Sequence, residues 1–173
     1  SLYEYGSRRG FWRIHNLFQE KKIPLTIFGA GMALEQNKDV CDAIKESNYE
    51  IASHGWRWID YQKINKNEEK KHMRLAIESI KKIFGQRPLG WYTGRCSPNT
   101  RDLVIEEGGF LYDSDSYNDD IPYWVKRGQK KQLIIPYTLD NNDMRFATYQ
   151  GFNSGDQFLT YLKDSFDALY EEG

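Results

Sequence analysis

Four short stretches hold most of the side chains able to do chemistry: His54-Gly55-Trp56-Arg57-Trp58, Thr93-Gly94-Arg95, Asp113 to Asp120, and Asp140-Asn141-Asn142-Asp143. His54 is the candidate for proton transfer, since an unperturbed imidazole titrates near ~6.5. Arg95 carries a permanent cation that can stabilise an oxyanion or hold a carboxylate in place. Asp113 and Asp115 flank Ser114, so on a strand their side chains share one face, and two carboxylates that close push one pKa upward. One of Asp113, Asp115, Asp119 and Asp120 is expected to touch a substrate, with Asp115 favoured for catalysis and Asp120 for binding. The others read as loop caps. Trp56, Trp58, Trp91, Tyr117 and Trp124 can wall a pocket for a flat, polar ring. Asn142 and Asp143 can read N–H and C=O groups, or simply make an Asx-turn. Plain structural roles stand beside these: His54 as a hydrogen-bonded prop beneath the pocket, Arg95 as a surface cation paired with a helix acid, and Trp91, inside a predicted strand, as core.

The elements that must position these groups alternate between short strands and amphipathic helices. Phe11, Ile14, Leu17 and Phe18 fall at helical spacing within a helix from about Arg9 to Glu20. Pro24 then stops the helix, and Leu25 to Phe28 reads as a buried strand. Asn37 caps a helix holding Val40, Cys41 and Ile44, and Glu50 to Ser53 is a brief strand leading into His54. Asn65 with Glu68 three residues on predicts a capping box, followed by the stripe Met73, Ala76, Ile77, Ile80, Ile83 and Phe84 that ends at Gly85. Leu89 to Tyr92 is the next strand, Ser97-Pro98 opens a helix through Glu106, and Phe110 to Asp113 is a further strand. A polar loop, a strand at Leu133 to Pro136, a long loop and a final amphipathic helix complete the chain. Such alternation implies parallel strands with right-handed crossovers, hence an α/β layered or barrel fold in one domain spanning 1-173. Chemistry in these folds gathers beyond the carboxyl ends of the strands, where all four stretches lie.

Composition narrows the class. The 173 residues carry 24 Lys plus Arg against 25 Asp plus Glu, a formal net charge of -1, and this balance argues against nucleic acid or an anionic membrane as partner. No apolar run approaches the ~20 residues of a membrane span. Aromatic residues make up 15% of the chain, while the apolar share, about 40%, is below the ~45–50% of an average domain. Cys41 and Cys96 have no metal-ligand spacing and read as free thiols in a reducing compartment. No positively charged apolar leader follows Ser1, which points to a cytoplasmic location.

Taken together, Ala52 to Trp58, Gly90 to Asn99, Tyr112 to Tyr117 and Pro136 to Phe146 resemble the polysaccharide deacetylase superfamily (NodB homology, carbohydrate esterase family 4-like). The resemblance covers essentially the whole chain and implies a distorted (β/α) barrel. Deacetylases of this superfamily hold a divalent metal with an Asp and two histidines, the second four residues after the first. His54 fits the first position, but Trp58 occupies the second. An indole nitrogen is a donor only, and one histidine cannot complete a catalytic zinc site of about three protein ligands. His15 and His72 fall within predicted helices.

Within the superfamily the resemblance therefore runs to the metal-independent PuuE-type allantoinases. It implies C–N bond hydrolysis, ring opening of allantoin to allantoate, no metal or other cofactor, and a small-molecule ureide as partner, with a homo-oligomer left open. In that pattern an Arg matching Arg95 holds the general-base carboxylate, and Glu4 and Arg8 bind the ureido tail or cap the first helix. The family also carries an N-terminal strand with a catalytic carboxylate and a C-terminal strand ending in a histidine, so residues 1-173 are expected to be the central portion of such a domain. The alternatives are a metal-dependent deacetylase of an N-acetylated polysaccharide, and an inactive fragment or carbohydrate-binding pseudoenzyme.

Overall fold

The computed structural model describes residues 2–173, which form two compact units divided between Pro136 and Tyr137. In the first unit, α1 (Leu2–Tyr5) passes through a π-helical stretch, Gly6–Gly10, into α2 (Phe11–Lys21). The helix expected from Arg9 thus begins later in α-helical form, and it ends where Lys22 turns left-handed at φ 54°. Then follow β1 (Thr26–Gly29), α3 (Gly31–Glu35), α4 (Lys38–Glu46), β2 (Glu50–Ser53), α5 (Lys66–Phe84), β3 (Gly90–Trp91), α6 (Thr100–Glu107) and β4 (Tyr112–Asp113). A hairpin of β5 (Tyr123–Arg127) and β6 (Lys130–Ile134) closes the unit.

The strands form one sheet in the order β1-β2-β3-β4-β6-β5. All neighbouring pairs are parallel except β5 with β6. This is the expected mixed α/β architecture, although among the described residues β1 and β5 remain free edges and hydrogen bonds do not close the sheet into a barrel. Strand β5 had read as polar loop, because the hairpin carries Lys126, Arg127, Lys130 and Lys131 and its only turn signal is Gly128 at φ 59°. The charged strand pairs because its partner β6 is anchored in the sheet, with Gln132 and Ile134 buried.

Side chains alternate across the sheet. On one face Ile51 and Trp91 meet the helices, giving two clusters: Met73, Ala76 and Ile77 of α5 with Trp91, Leu103, Val104 and Phe110, and Leu34, Cys41 and Ile44 with Tyr49, Ile51 and Ile80. Helix α5 contributes to both, and each fully buried aliphatic side chain is worth about 1.5–3 kcal/mol. Its N-terminus is capped as expected, with Asn65 Oδ1 accepting the Glu68 N–H at 3.0 Å. Asn37 also stands at the N-cap of α4, but its amide donates to the Ala33 carbonyl at 2.7 Å instead of capping with its side-chain oxygen.

In the second unit, Ser154 caps α7 (Gly155–Glu172) by accepting the Gln157 N–H at 3.3 Å. Phe146, Phe152 and Phe158 pack ring to ring at 5.1 to 5.6 Å. The Arg145 guanidinium lies 4.8 Å from the Phe152 ring and 4.9 Å from that of Tyr161. Among the described residues no helix is long and apolar enough to cross a membrane.

One contact ties three strands together. Tyr112 of β4 reaches over Gly90 of β3, its register partner, and its hydroxyl donates to Glu50 of β2 at 2.5 Å. Burial and the Glu50 carboxylate both raise the Tyr112 pKa, so the phenol stays protonated. A Cβ at Gly90 would overlap the Tyr112 ring. Gly90→Ala is expected to cost about 3 kcal/mol, from overpacking plus loss of a charge-assisted hydrogen bond, and to lower the Tm by about 6–12 °C. Tyr112→Phe, which loses only the hydrogen bond, should cost roughly half as much. Calorimetric melting of the two variants checks both the size and the order.

Candidate active site

Strands β2, β3 and β4 are neighbours, so their carboxyl ends bring His54, Thr93 to Arg95 and Asp113 to Tyr117 to one rim. The loops are then locked to one another. The Gly31 N–H donates to the Gly55 carbonyl at 2.9 Å and the Met32 N–H to that of Trp56 at 3.1 Å, while the His54 N–H reaches the Gly29 carbonyl at 2.8 Å. The His54 ring stands edge-on to Tyr92 at 5.2 Å. Its Nδ1 is buried with no hydrogen-bond partner, and burial pushes the imidazole below its usual pKa, opposed by the nearby Asp115 charge. The ring is therefore neutral at physiological pH.

Asp115, expected as a catalytic carboxylate, is built into the scaffold. The Thr93 N–H lies 3.0 and 2.9 Å from its two oxygens, the Gly94 N–H donates to Oδ1 at 2.8 Å, and the Thr93 hydroxyl donates to Oδ2 at 2.8 Å. A buried carboxylate whose lone pairs are committed to a neighbouring loop positions that loop. Asp113 is fully buried. Its Oδ1 accepts the Asp115 N–H at 2.9 Å and its Oδ2 lies 3.4 Å from Arg101 Nε of α6. Burial first, helped by the Asp115 charge and opposed by the Asp115 N–H and Arg101, raises its pKa to about 6. The two carboxylates therefore play different structural parts.

Arg95 is exposed at the turn that Asp115 clamps, with its guanidinium 4.4 Å from the centre of the Trp58 ring. Its carbonyl accepts the Tyr61 N–H at 3.1 Å. Trp58 is 53% exposed, and Tyr117 is 46% exposed with its hydroxyl 3.1 Å from that of Tyr92. Trp91 is corrected from pocket wall to core: it is 2% exposed and packs edge-on against Phe110 at 5.4 Å on the helix side of the sheet. Trp56 packs partly buried against the same cluster. Trp124 stacks beneath Lys131 at 4.6 Å on the hairpin.

The remaining expected site residues are partly or fully exposed. Asp120 is exposed in a turn where Asp119 Oδ1 accepts its N–H at 2.9 Å. Glu4 and Arg8 are exposed on α1 and the π-helical stretch. Asn142 and Asp143 belong to the second unit, where Asn142 caps a short 3-10 turn by accepting the Met144 N–H at 2.8 Å and donates to the Tyr137 hydroxyl at 2.6 Å. Asn142 thus does make the Asx-type cap that was the alternative to ligand reading.

Sequence reasoning missed Glu69, Ser97 and Thr100. Glu69 of α5 is 3% exposed, and its carboxylate accepts from the Ser97 hydroxyl at 2.6 Å and from that of Thr100. The signal was present: Glu69 stands four residues before Met73 and seven before Ala76, so it occupies the apolar stripe of its helix. The residues also fail to fit a divalent cation. Among the described residues no three His, Cys, Asp or Glu side chains are placed to hold a metal. The position four residues after His54 bears a donor-only indole lying against a guanidinium, which repels a further cation.

A family model for polysaccharide deacetylase matches residues 2–105. Over 189 aligned positions the chain is 46% identical to a protein of Schizosaccharomyces pombe whose name places it among the polysaccharide deacetylases, a match taking in 100% of this chain and 59% of that one. The crystal structure of a probable polysaccharide deacetylase from Pseudomonas aeruginosa PAO1 superposes with a TM-score of 0.95 at 57% identity, over 99% of this chain and 58% of the other. That of a PuuE allantoinase superposes with a TM-score of 0.94 at 58% identity, again over 99% and 58%. The chain spans less than two thirds of the length of the relatives it matches. With the family model matching more than half of the residues, the chain belongs to the polysaccharide deacetylase family.

Proposed function

We propose that the protein hydrolyses a non-peptide C–N bond without a metal, opening the hydantoin ring of allantoin to allantoate. The observation that carries this reading is the Arg95 guanidinium 4.4 Å over the Trp58 ring, at the position where the superfamily's deacetylases have their second histidine ligand. The 58% identity to a PuuE allantoinase supports the same substrate class.

In the reaction, the oxygen of water bonds to the ring carbonyl carbon, the ring C–N bond breaks, and the leaving nitrogen takes a proton. The products are a carboxylate and a ureido group, and the second proton of the water passes through the general base to solvent. Neutral His54 exchanges the proton with the reacting groups. Arg95 supplies the positive charge that the tetrahedral oxyanion needs, with Trp58 and Tyr117 as flat walls for the ring. Glu4 and Arg8 are assigned to the ureido tail in this reading. In this reading, which follows the family resemblance, a carboxylate acts as the general base. A second reading, a metal-dependent deacetylase of an N-acetylated polymer, draws on the names of the Schizosaccharomyces pombe and Pseudomonas aeruginosa relatives.

Allantoin turnover in the presence of EDTA separates the readings, using the protein with whatever its coding sequence adds at either end. Undiminished ring opening under chelation is expected. Inertness toward allantoin, or EDTA-sensitive release of acetate from N-acetylglucosamine oligomers, would overturn the proposal.

His54→Ala should lower kcat by about 100-fold or more, while moving the Tm by no more than about 3 °C. A large fall in Tm with activity retained in the folded fraction would make His54 a prop for the loop instead. Because burial lowers the His54 pKa, the imidazole gains its proton only below its usual ~6.5. The acid limb of kcat/KM in wild type should therefore lie below about pH 6.5, activity falling as pH falls through it. An acid limb centred above that value would exclude His54 as its source.

A further inference from the structure

Glu69 is a buried carboxylate with no part in the chemistry just described. Both of its hydrogen bonds are to hydroxyls, Ser97 Oγ at 2.6 Å and Thr100 Oγ1. Each hydroxyl also accepts from the backbone: Ser97 Oγ takes the Asn99 N–H at 2.9 Å, and Thr100 Oγ1 takes the Ser97 N–H at 2.8 Å. A carboxylate is acceptor-only, so it compels both hydroxyl protons to point at it and leaves their lone pairs facing the loop. Glu69 therefore fixes the hydrogen-bonding sense of the whole turn leading into α6. At the other end of the same segment, Asp115 holds Thr93 and Gly94. Arg95 lies between these two anchors, and its own carbonyl is tied to the Tyr61 N–H at 3.1 Å.

We propose that Glu69 is a positioning residue of the site, clamping the far end of the Thr93–Thr100 segment so that the Arg95 guanidinium stays over Trp58. This inference rests on the reading of Arg95 as the oxyanion-stabilising group. Glu69→Gln is nearly isosteric, but its amide presents a donor to one hydroxyl, which must then turn its own proton away and leave that buried proton without its carboxylate acceptor.

The test reads geometry and catalysis separately. The Nε–H proton of Arg95, lying over an indole face, should show a ring-current shift in the NMR spectrum of the ligand-free protein that vanishes in Trp58→Leu. Glu69→Gln is expected to abolish most of that shift. It should lower kcat about tenfold with KM changed by less than about twofold, as expected for an interaction made in the transition state. In an Arg95→Ala background the same substitution should change kcat by less than about twofold, because the two act as a unit. Ser97→Ala, which removes one of the two clamped hydroxyls, should give a smaller effect of the same kind and stands in if Glu69→Gln does not fold. An unchanged Arg95 resonance in both variants overturns the proposal, as does an undiminished loss of kcat in the Arg95→Ala background. If the wild type does not open allantoin, the functional reading fails, and the Arg95 resonance still decides whether Glu69 positions it.

Discussion

The rim depends on one buried carboxylate that joins two strand ends. Asp115 lies just beyond β4, yet its hydrogen bonds go to Thr93 and Gly94 just beyond β3. Hydrogen bonds to an ionised acceptor are roughly twice as strong as neutral ones, and together they offset the cost of burying the charge. Register follows from this arrangement. Strand pairing alone sets Trp91 opposite Asp113, but the turn that follows β3 would lose its side-chain anchor at Thr93 and Gly94 without the carboxylate. With it, the path from Thr93 to Arg95 has one solution, and the guanidinium leaves the scaffold at a defined point.

Charge is distributed on the same logic. Acidic groups at the rim are buried and committed to backbone N–H groups, hydroxyls or Arg101, while the cation, Arg95, is exposed and shares its face with Trp58. A metal site needs the opposite arrangement, with acids and imidazoles turned outward toward a common point. A guanidinium keeps its charge at every pH at which the protein is folded and needs no ligand set. Buried polar structure thus surrounds one exposed side chain, Arg95.

Much of the fold was legible because periodicity and caps report local physics. The 50 to 53 strand coincides with β2, and the Asn65 cap and the Gly85 stop of α5 are where their chemistry places them. The β5–β6 hairpin was not legible, since its stability comes from joining an existing sheet and not from its own charged residues. At the rim, three of the four polar stretches follow adjacent strands, as the alternation of elements led one to expect. The division of labour between Asp113 and Asp115 was not legible, because spacing put both on one face while the chain beyond β4 turns Asp115 toward β3. Trp91 was ambiguous for a related reason: inside a two-residue strand, nothing local says which face is covered by helices.

The two turns that present His54 and Arg95 share one construction. Each has a glycine at positive φ, Gly55 at 73° directly after His54 and Gly94 at 69° directly before Arg95. Each glycine also has a tyrosine hydroxyl pressed against it: a Cβ at Gly55 would lie 3.3 Å from Tyr61 Oη, and one at Gly94 would lie 3.0 Å from Tyr92 Oη. Conformation and space thus demand glycine at the same two points. The tyrosines do more than fill the gap, because each also touches a functional neighbour. Tyr92 stands edge-on to His54, and Tyr61 donates its backbone N–H to Arg95. A side chain at either glycine would displace the tyrosine and, through it, the residue that the other turn presents. His54 and Arg95 are in this way linked through the two tyrosines, and the rigidity of the rim belongs to the pair of turns and not to either alone.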